Sequence, residues 1–269
     1  MGKVQPVFLG DRLFFVYQLF SLCIFAFLAG LIDSIVGGGG LIQLPALLVF
    51  LPNTAIPLVF GTNKLSSIAG TSAAAIHYSQ QVKINWSIVL ISTTTAFVFS
   101  FIGASTVSII NPTLMRPLIL VILILVAIYT WFKKDFGFQH IVKVQGIKQS
   151  IYAALIGSLL GFYDGFFGPG TGSFLIFAFV GILGFDFLRA SASAKIVNLS
   201  TNLAATIYFG ANNQIIYSIA LPMAVFNIVG AIIGAKLAIA KGSAFVRVLF
   251  ISIVTLLIIK LAYDIFFDS

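Results

Sequence analysis

The sequence predicts an all-α polytopic membrane protein built from two repeats of about 131 residues. Three observations carry that prediction: an extreme apolar composition, apolar runs of membrane-spanning length, and a chain that matches itself at one fixed offset. Of the 269 residues, 60% are hydrophobic and only 8% charged, with a mean hydropathy of +1.12. A soluble domain is roughly half apolar and a quarter charged, so this composition cannot cover a water-facing surface. Apolar runs at 13–36, 87–110, 118–132 and 245–267 approach the roughly 20 residues a helix needs to cross a bilayer. The lipid bilayer is therefore the first partner the sequence implies. The N-terminal run is too long for a signal-peptide core and has no convincing cleavage site, so it is expected to be retained.

The self-match sets Gly30 on Gly161, Asp33 on Asp164, Gly37 on Gly168, Gly39 on Gly170 and Lys64 on Lys195, then Gly103 on Gly234 and Arg116 on Arg247. One register held over such a distance reads as an internal repeat. It divides the chain into an N-terminal transmembrane repeat (1–132), a polar lysine-bearing linker (133–149) and a C-terminal transmembrane repeat (150–269). Each repeat reads as an apolar helix ending near its aspartate, a glycine loop, and a short apolar segment (41–51 or 173–183). Three longer helices follow, near 62–80, 85–110 and 113–132 in the first repeat. About 11 helical residues rise only about 16 Å, half of a hydrocarbon core, so the short segment is expected to form a broken or re-entrant hairpin. Irregular backbone at that depth is tolerated where protein or a wet cavity surrounds it.

Basic residues sharpen the topology. If each hairpin returns to its own face, Lys83, the linker lysines, Arg189, Lys241 and Arg247 share one side, and the loops at 52–61, 110–112 and 210–214 share the other. The positive-inside rule then makes linker 133–149 cytoplasmic. Three crossings per half invert the two repeats, an arrangement used by secondary transporters. The competing count takes the hairpin arms as full spans, giving eight helices and parallel halves, and it leaves Lys3 and Arg12 better explained.

Two constellations carry chemistry. The first is the glycine loop with Gly37, Gly38, Gly39 and Gly40 after Asp33, and its partner with Gly168, Gly170, Thr171, Gly172 and Ser173 after Asp164. Glycines let backbone N–H groups approach a ligand, and a following helix start offers free donors and partial positive charge, which suits an anion. The competing reading is close helix packing by small residues. The second constellation is Thr62, Asn63 and Lys64, with its counterpart Ser193, Lys195, Asn198 and Asn202, a lysine near a helix start among hydroxyls and amides. Intramembrane charges are costly and face the interior, paired or functional. The lysines are expected either to bind an anionic substrate or to pair with Asp33 and Asp164. Those carboxylates, with His77, are candidates for proton coupling or gating, which makes protons a candidate second partner. A lone histidine near a helix end is more often interfacial, as are Arg116 and Arg247, and Lys260 with Asp264 reads as a structural pair.

Other classes fall away. Cys23 stands alone, so no internal disulfide forms, and His77 and His140 provide no metal or haem ligand set. No cofactor and no metal site is expected. The net charge of +8 is scattered between apolar runs, which argues for topology and against nucleic acid. Without a nucleophile elbow or a histidine–carboxylate set, the chain is not read as an enzyme. A passive anion channel is the alternative to a secondary transporter, and an oligomer is compatible with the sequence.

The motifs Asp33-Ser-Ile-Val-Gly-Gly-Gly-Gly40, Thr62-Asn-Lys64, Gly161-Phe-Tyr-Asp-Gly-Phe-Phe-Gly-Pro-Gly-Thr-Gly172 and Lys195-Ile-Val-Asn198, in this order, resemble the sulfite exporter TauE/SafE family across both halves. The resemblance implies an inner-membrane permease exporting sulfite, sulfoacetate or related organosulfur anions. Gly40 faces Thr171 and Leu41 faces Gly172 in the self-match, so an asymmetric site is expected.

Overall fold

A computed structural model describes residues 9–107 and 144–267, with side chains described from Val16 onward and with gaps after Ile253. Expectations about Arg116, His140, the helix at 113–132 and most of the linker lie outside the described residues, as do the side chains of Lys260 and Asp264. The described chain is helical throughout: α1 Leu9–Val36, α2 Gly40–Phe50, α3 Ile56–Gln81, α4 Trp86–Ser105, α5 Ile147–Phe166, α6 Thr171–Ala178 with a π-helical turn at Phe179–Leu183, α7 Phe187–Ala211 and α8 Tyr217–Phe267. Helix α8 breaks at Gly242, where φ is 75°.

Three of these segments are long and apolar enough to cross a bilayer: Val16–Val36, Trp86–Ser105 and Tyr217–Ile253. Helices α3 and α7 have the length, at 26 and 25 residues, but their hydroxyls, amides and lysines lower their hydropathy. Those groups are buried: Thr62, Asn63, Lys64, Ser66 and Thr71 on α3, and Ser191, Ser193, Lys195, Asn198 and Asn202 on α7. The two helices that look least like membrane spans thus form the polar centre. The short segments are helices, as expected. The starts of the helices that follow them are not where the polar motifs suggested. Helix α3 begins at Ile56 with Pro57 in its first turn, where a missing N–H is harmless, and α7 begins at Phe187, capped by Asp186 accepting from the Arg189 N–H at 2.9 Å. Lys64 and Lys195 therefore lie two turns inside their helices rather than at the starts.

Around α3 and α7 the other helices pack closely. Helix α1 runs along the first part of α8, and α4 along α5. In both pairs the residue numbers rise together: Leu22 and Ala26 share an apolar cluster with Ile219 and Met223, while farther along Gly234 abuts the Leu31 carbonyl; Gly157, Gly161 and Gly165 meet Ser92, Ala96 and Ser100. A Cβ on Gly165 would stand 1.9 Å from the Ser100 carbonyl oxygen, so small residues here set the helix separation. Helix α2 folds back on α1, and the Gln18 side chain donates to the Phe50 carbonyl at the far end of α2. Phe25 and Phe50 pack their rings beside that contact.

Candidate functional site

Each aspartate sits in the last turn of its helix, Asp33 in α1 and Asp164 in α5. A negative charge there opposes the helix dipole, and burial in an apolar bundle adds a desolvation cost of several kcal/mol. Both penalties are met by a lysine from the opposite half of the chain. Lys64 Nζ lies 2.7 Å from Asp164 Oδ2, and Lys195 Nζ lies 2.7 Å from Asp33 Oδ2. The pairs are crossed, and each ties the two halves together. They differ in access: the Lys64 and Asp164 side chains are both 3% exposed, whereas Asp33 retains 18% beside a fully buried Lys195.

The glycine loops meet between these pairs. Gly37 has φ 79° and Gly168 has φ 94°, left-handed values that favour glycine. Gly37 also touches Gly172 backbone to backbone: a Cβ on Gly37 would stand 2.1 Å from the Gly172 carbonyl carbon, and one on Gly172 would stand 2.4 Å from the Gly37 Cα. Ser173 seals the contact, its N–H donating to the Gly37 carbonyl at 3.2 Å and its hydroxyl to the Val36 carbonyl at 2.8 Å. The Thr171 hydroxyl donates to the Gly168 carbonyl at 2.7 Å. The two hydroxyl hydrogens are thus committed to the loops themselves.

A cavity of 30 Å³ lies at this crossing, lined by Asp33, Gly37, Gly39, Gly40, Asn63, Lys64, Asp164, Gly168, Gly172, Asn198 and Asn202 among the residues anticipated from sequence. At roughly 10–15 Å³ per water it holds about two waters. Of the other anticipated residues, Lys195 reaches the site through Asp33, and Gly38 belongs to the loop without lining the cavity. Gly170 packs against Leu41 and Phe174. Thr62 and Ser193 lie on other faces of α3 and α7. His77 lies more than three turns beyond Lys64, about 20 Å along the helix, partly buried and outside the cavity lining.

The cavity also has residues the sequence reading passed over: Ala29, Ser67, Thr71 and Asn227. Ser67 and Thr71 were findable, because they stand one repeat length from Asn198 and Asn202. Asn227 is an amide in an otherwise apolar span, a signal in its own right. Its Nδ2 donates to Gln43 Oε1 at 2.7 Å, and Gln43 Nε2 in turn donates to Asn63 Oδ1 at 3.0 Å. On the other side Asn202 Nδ2 donates to Asn198 Oδ1 at 3.4 Å. Both Asn63 and Asn198 therefore have their oxygens engaged, which assigns their amide orientation. Their N–H groups have no acceptor among the described residues, and both side chains line the cavity. The centre thus holds two cations, two carboxylates and two free amide donors in an apolar surround. No group of three or more histidine, cysteine or carboxylate ligands occurs among the described residues.

An apolar helical bundle with paired charges and free amide donors buried at its crossing point defines a membrane transporter. A family model described as Sulfite exporter TauE/SafE matches residues 22–261, and the chain belongs to that family. It is 32% identical over 240 residues to the "Probable membrane transporter protein" of Haemophilus influenzae, covering 88% of this chain and 92% of that one. It is also 32% identical over 261 residues to the "Probable membrane transporter protein YfcA" of Escherichia coli K12, covering 97% and 92%. The "Probable membrane transporter protein ORF9" of a Sinorhizobium species matches at 32% over 253 residues, covering 92% and 94%. No solved structure matches the chain.

Proposed function

We propose that this protein is a secondary transporter exporting small oxyanions such as sulfite or organosulfonates, with the crossed ion pairs as its binding centre. The observation that carries the reading is the pair Asn63 and Asn198, whose side chains line a charge-balanced cavity and whose amide N–H groups have no acceptor among the described residues. Four formal charges there sum to zero, so an arriving anion gains a cation only when a lysine is released from its aspartate. Protonation of Asp33, the less buried of the two carboxylates, would free Lys195 and couple anion binding to a proton. Lys195 on α7, Tyr78 on α3, and Lys64 and Asp164 across the shared cavity are the ionisable groups around Asp33 among the described residues, Tyr78 fixed by its hydroxyl on the Ser34 carbonyl at 2.9 Å. A cavity of 30 Å³ is too small for a four-atom anion, so binding requires the centre to widen.

The repeat and its inversion are part of the proposal. Helices α2, α3 and α4 begin at Gly40, Ile56 and Trp86, and α6, α7 and α8 begin at Thr171, Phe187 and Tyr217, each about 131 residues later. Helix α1 runs with α8 and α4 with α5, while the four-residue 82–85 connection turns α4 back from α3. These directions support inverted halves. The Gln18–Phe50 contact supports hairpins that return to their own face, and the abutment of Gly61 on the Gln214 carbonyl supports one shared face for those two loops. The linker 133–149 is then cytoplasmic by its lysines.

Reconstitution tests this reading. Proteoliposomes should accumulate sulfite or a small organosulfonate against its gradient when a pH gradient is imposed. Asn198→Ala should raise the KM about tenfold, the cost of one hydrogen bond to a charged group at roughly 1.5 kcal/mol. Flux that saturates but never runs uphill would favour the channel alternative, and folded protein without flux for any oxyanion would remove the reading.

A further inference from the structure

The two ends of the bundle are built from matching residues, yet one is shut and the other open. At the first end the start of α3 meets the connection into α8. The Ile216 N–H donates to Thr62 Oγ1 at 3.0 Å, and a Cβ on Gly61 would stand 1.9 Å from the Gln214 carbonyl oxygen. One repeat length away, the start of α7 faces the connection into α4. There Ser193 stands for Thr62 and Asn85 for Ile216, and a cavity of 330 Å³ is lined by both, together with Lys83, Trp86 and Arg189. Ser193 is fully buried, and its hydroxyl has no hydrogen-bond partner among the described residues.

Charge separates the ends as well. The open end has Lys83, which forms no ion pair among the described residues, and Arg189, whose partner Asp186 lies at 3.2 Å. Their sum is one positive charge. The positions matching Lys83 and Arg189 at the shut end are Gln214 and Leu58. The ion pairs are unequal as well. Lys195 lies six residues, about 9 Å of helix, inward from Arg189, and its partner Asp33 is 18% exposed. Lys64 lies equally far inward from Leu58, and its pair is sealed at 3%.

Resting on the transport reading above, we propose that the Lys83–Trp86–Arg189 cavity is a docking site for a small oxyanion and the open mouth of its path to Lys195. The Thr62–Ile216 contact is the same mouth in its closed form. When the transporter turns over, Ser193 Oγ accepts the Asn85 N–H and Thr62 releases Ile216, so Ser193 acts as a positioning residue whose hydroxyl is used only in the opposite state.

The docking site is tested by fluorescence of Trp86 in a Trp131→Phe background, quenched by iodide as an anionic probe and by acrylamide as a neutral one. In zwitterionic vesicles iodide quenching should fall several-fold in Lys83→Gln/Arg189→Gln, with acrylamide quenching unchanged. Equal iodide quenching with and without the two basic residues overturns the docking site. So does iodide quenching that vanishes in phosphatidylglycerol vesicles, since the site would then hold a lipid headgroup. For the closing role, Ser193→Val should keep the iodide preference of its parent and lose most of its oxyanion flux, with flux restored in Ser193→Thr. Full flux in Ser193→Val overturns that role. A parent protein with the iodide preference but no oxyanion flux would remove the transport reading and leave the docking site standing.

Discussion

The two ion pairs are chemically identical and differently surrounded. Lys64–Asp164 is sealed, with Gly168 close enough that a Cβ there would stand 3.1 Å from the ammonium. Lys195–Asp33 has a carboxylate still partly open. Their flanks differ in a complementary way. On one side Asn227 fills the space left by Gly70, whose Cβ would stand 1.8 Å from Asn227 Oδ1. On the other, Ala96 matches Asn227 and Thr201 matches Gly70, so the larger polar side chain has moved to the opposite helix. Gln43, hub of the amide chain, is matched by Phe174. The crossed pairs hold the halves together in the same way twice, while the flanks set a Gln43-centred amide chain on one side of the cavity against the Asn198–Asn202 pair and Phe174 on the other.

The largest expected effect tests the difference in sealing. Lys64→Met leaves Asp164 buried and uncompensated and should lower stability by about 3–5 kcal/mol, read as a fall in the thermal midpoint of the purified protein. Lys195→Met should cost clearly less, because water reaches Asp33. Equal losses would erase the distinction between the pairs. Next comes coupling: Asp33→Asn should transport without responding to an imposed pH gradient, and Asp164→Asn should keep that response. A response lost only in Asp164→Asn would reverse the assignment.

A smaller effect tests the flanks. Asn227→Ala combined with Gly70→Thr copies the residues of the other flank and removes the amide oxygen that a Cβ on Gly70 would meet at 1.8 Å. It should fold, and should weaken substrate binding about tenfold, near 1.4 kcal/mol for a lost hydrogen-bond network member; unchanged KM would make the amide chain purely structural. Smallest is Tyr78→Phe, which copies the matching Phe209. Losing the bond to the Ser34 carbonyl should cost about 1 kcal/mol of stability with flux retained.

Much of the centre was legible before any coordinates. Asp33, Lys64, Asp164, Lys195 and the glycines stood out because charge and backbone freedom are rare and conspicuous in an apolar chain, and their recurrence at one offset marked them twice. Asn227 and Gln43 were passed over because neither repeats: their matching positions hold Ala96 and Phe174. The helix starts were misjudged at Lys64 and Lys195 because the polar motifs drew the boundary inward, past the start signals Pro57 and Asp186.

The sequence by itself determined membrane residence and the helical class, through composition and apolar runs, the family, through the order of its motifs, and the identity of the four buried charges, through their recurrence at one offset. Only the tertiary structure decided that each lysine serves the other half's aspartate, that Gly37 and Gly172 touch, and that one end is shut while its counterpart stands open. Those are relations between residues a hundred or more positions apart. A linear pattern fixes which groups must be buried, but the packing of helices across the two halves chooses their partners.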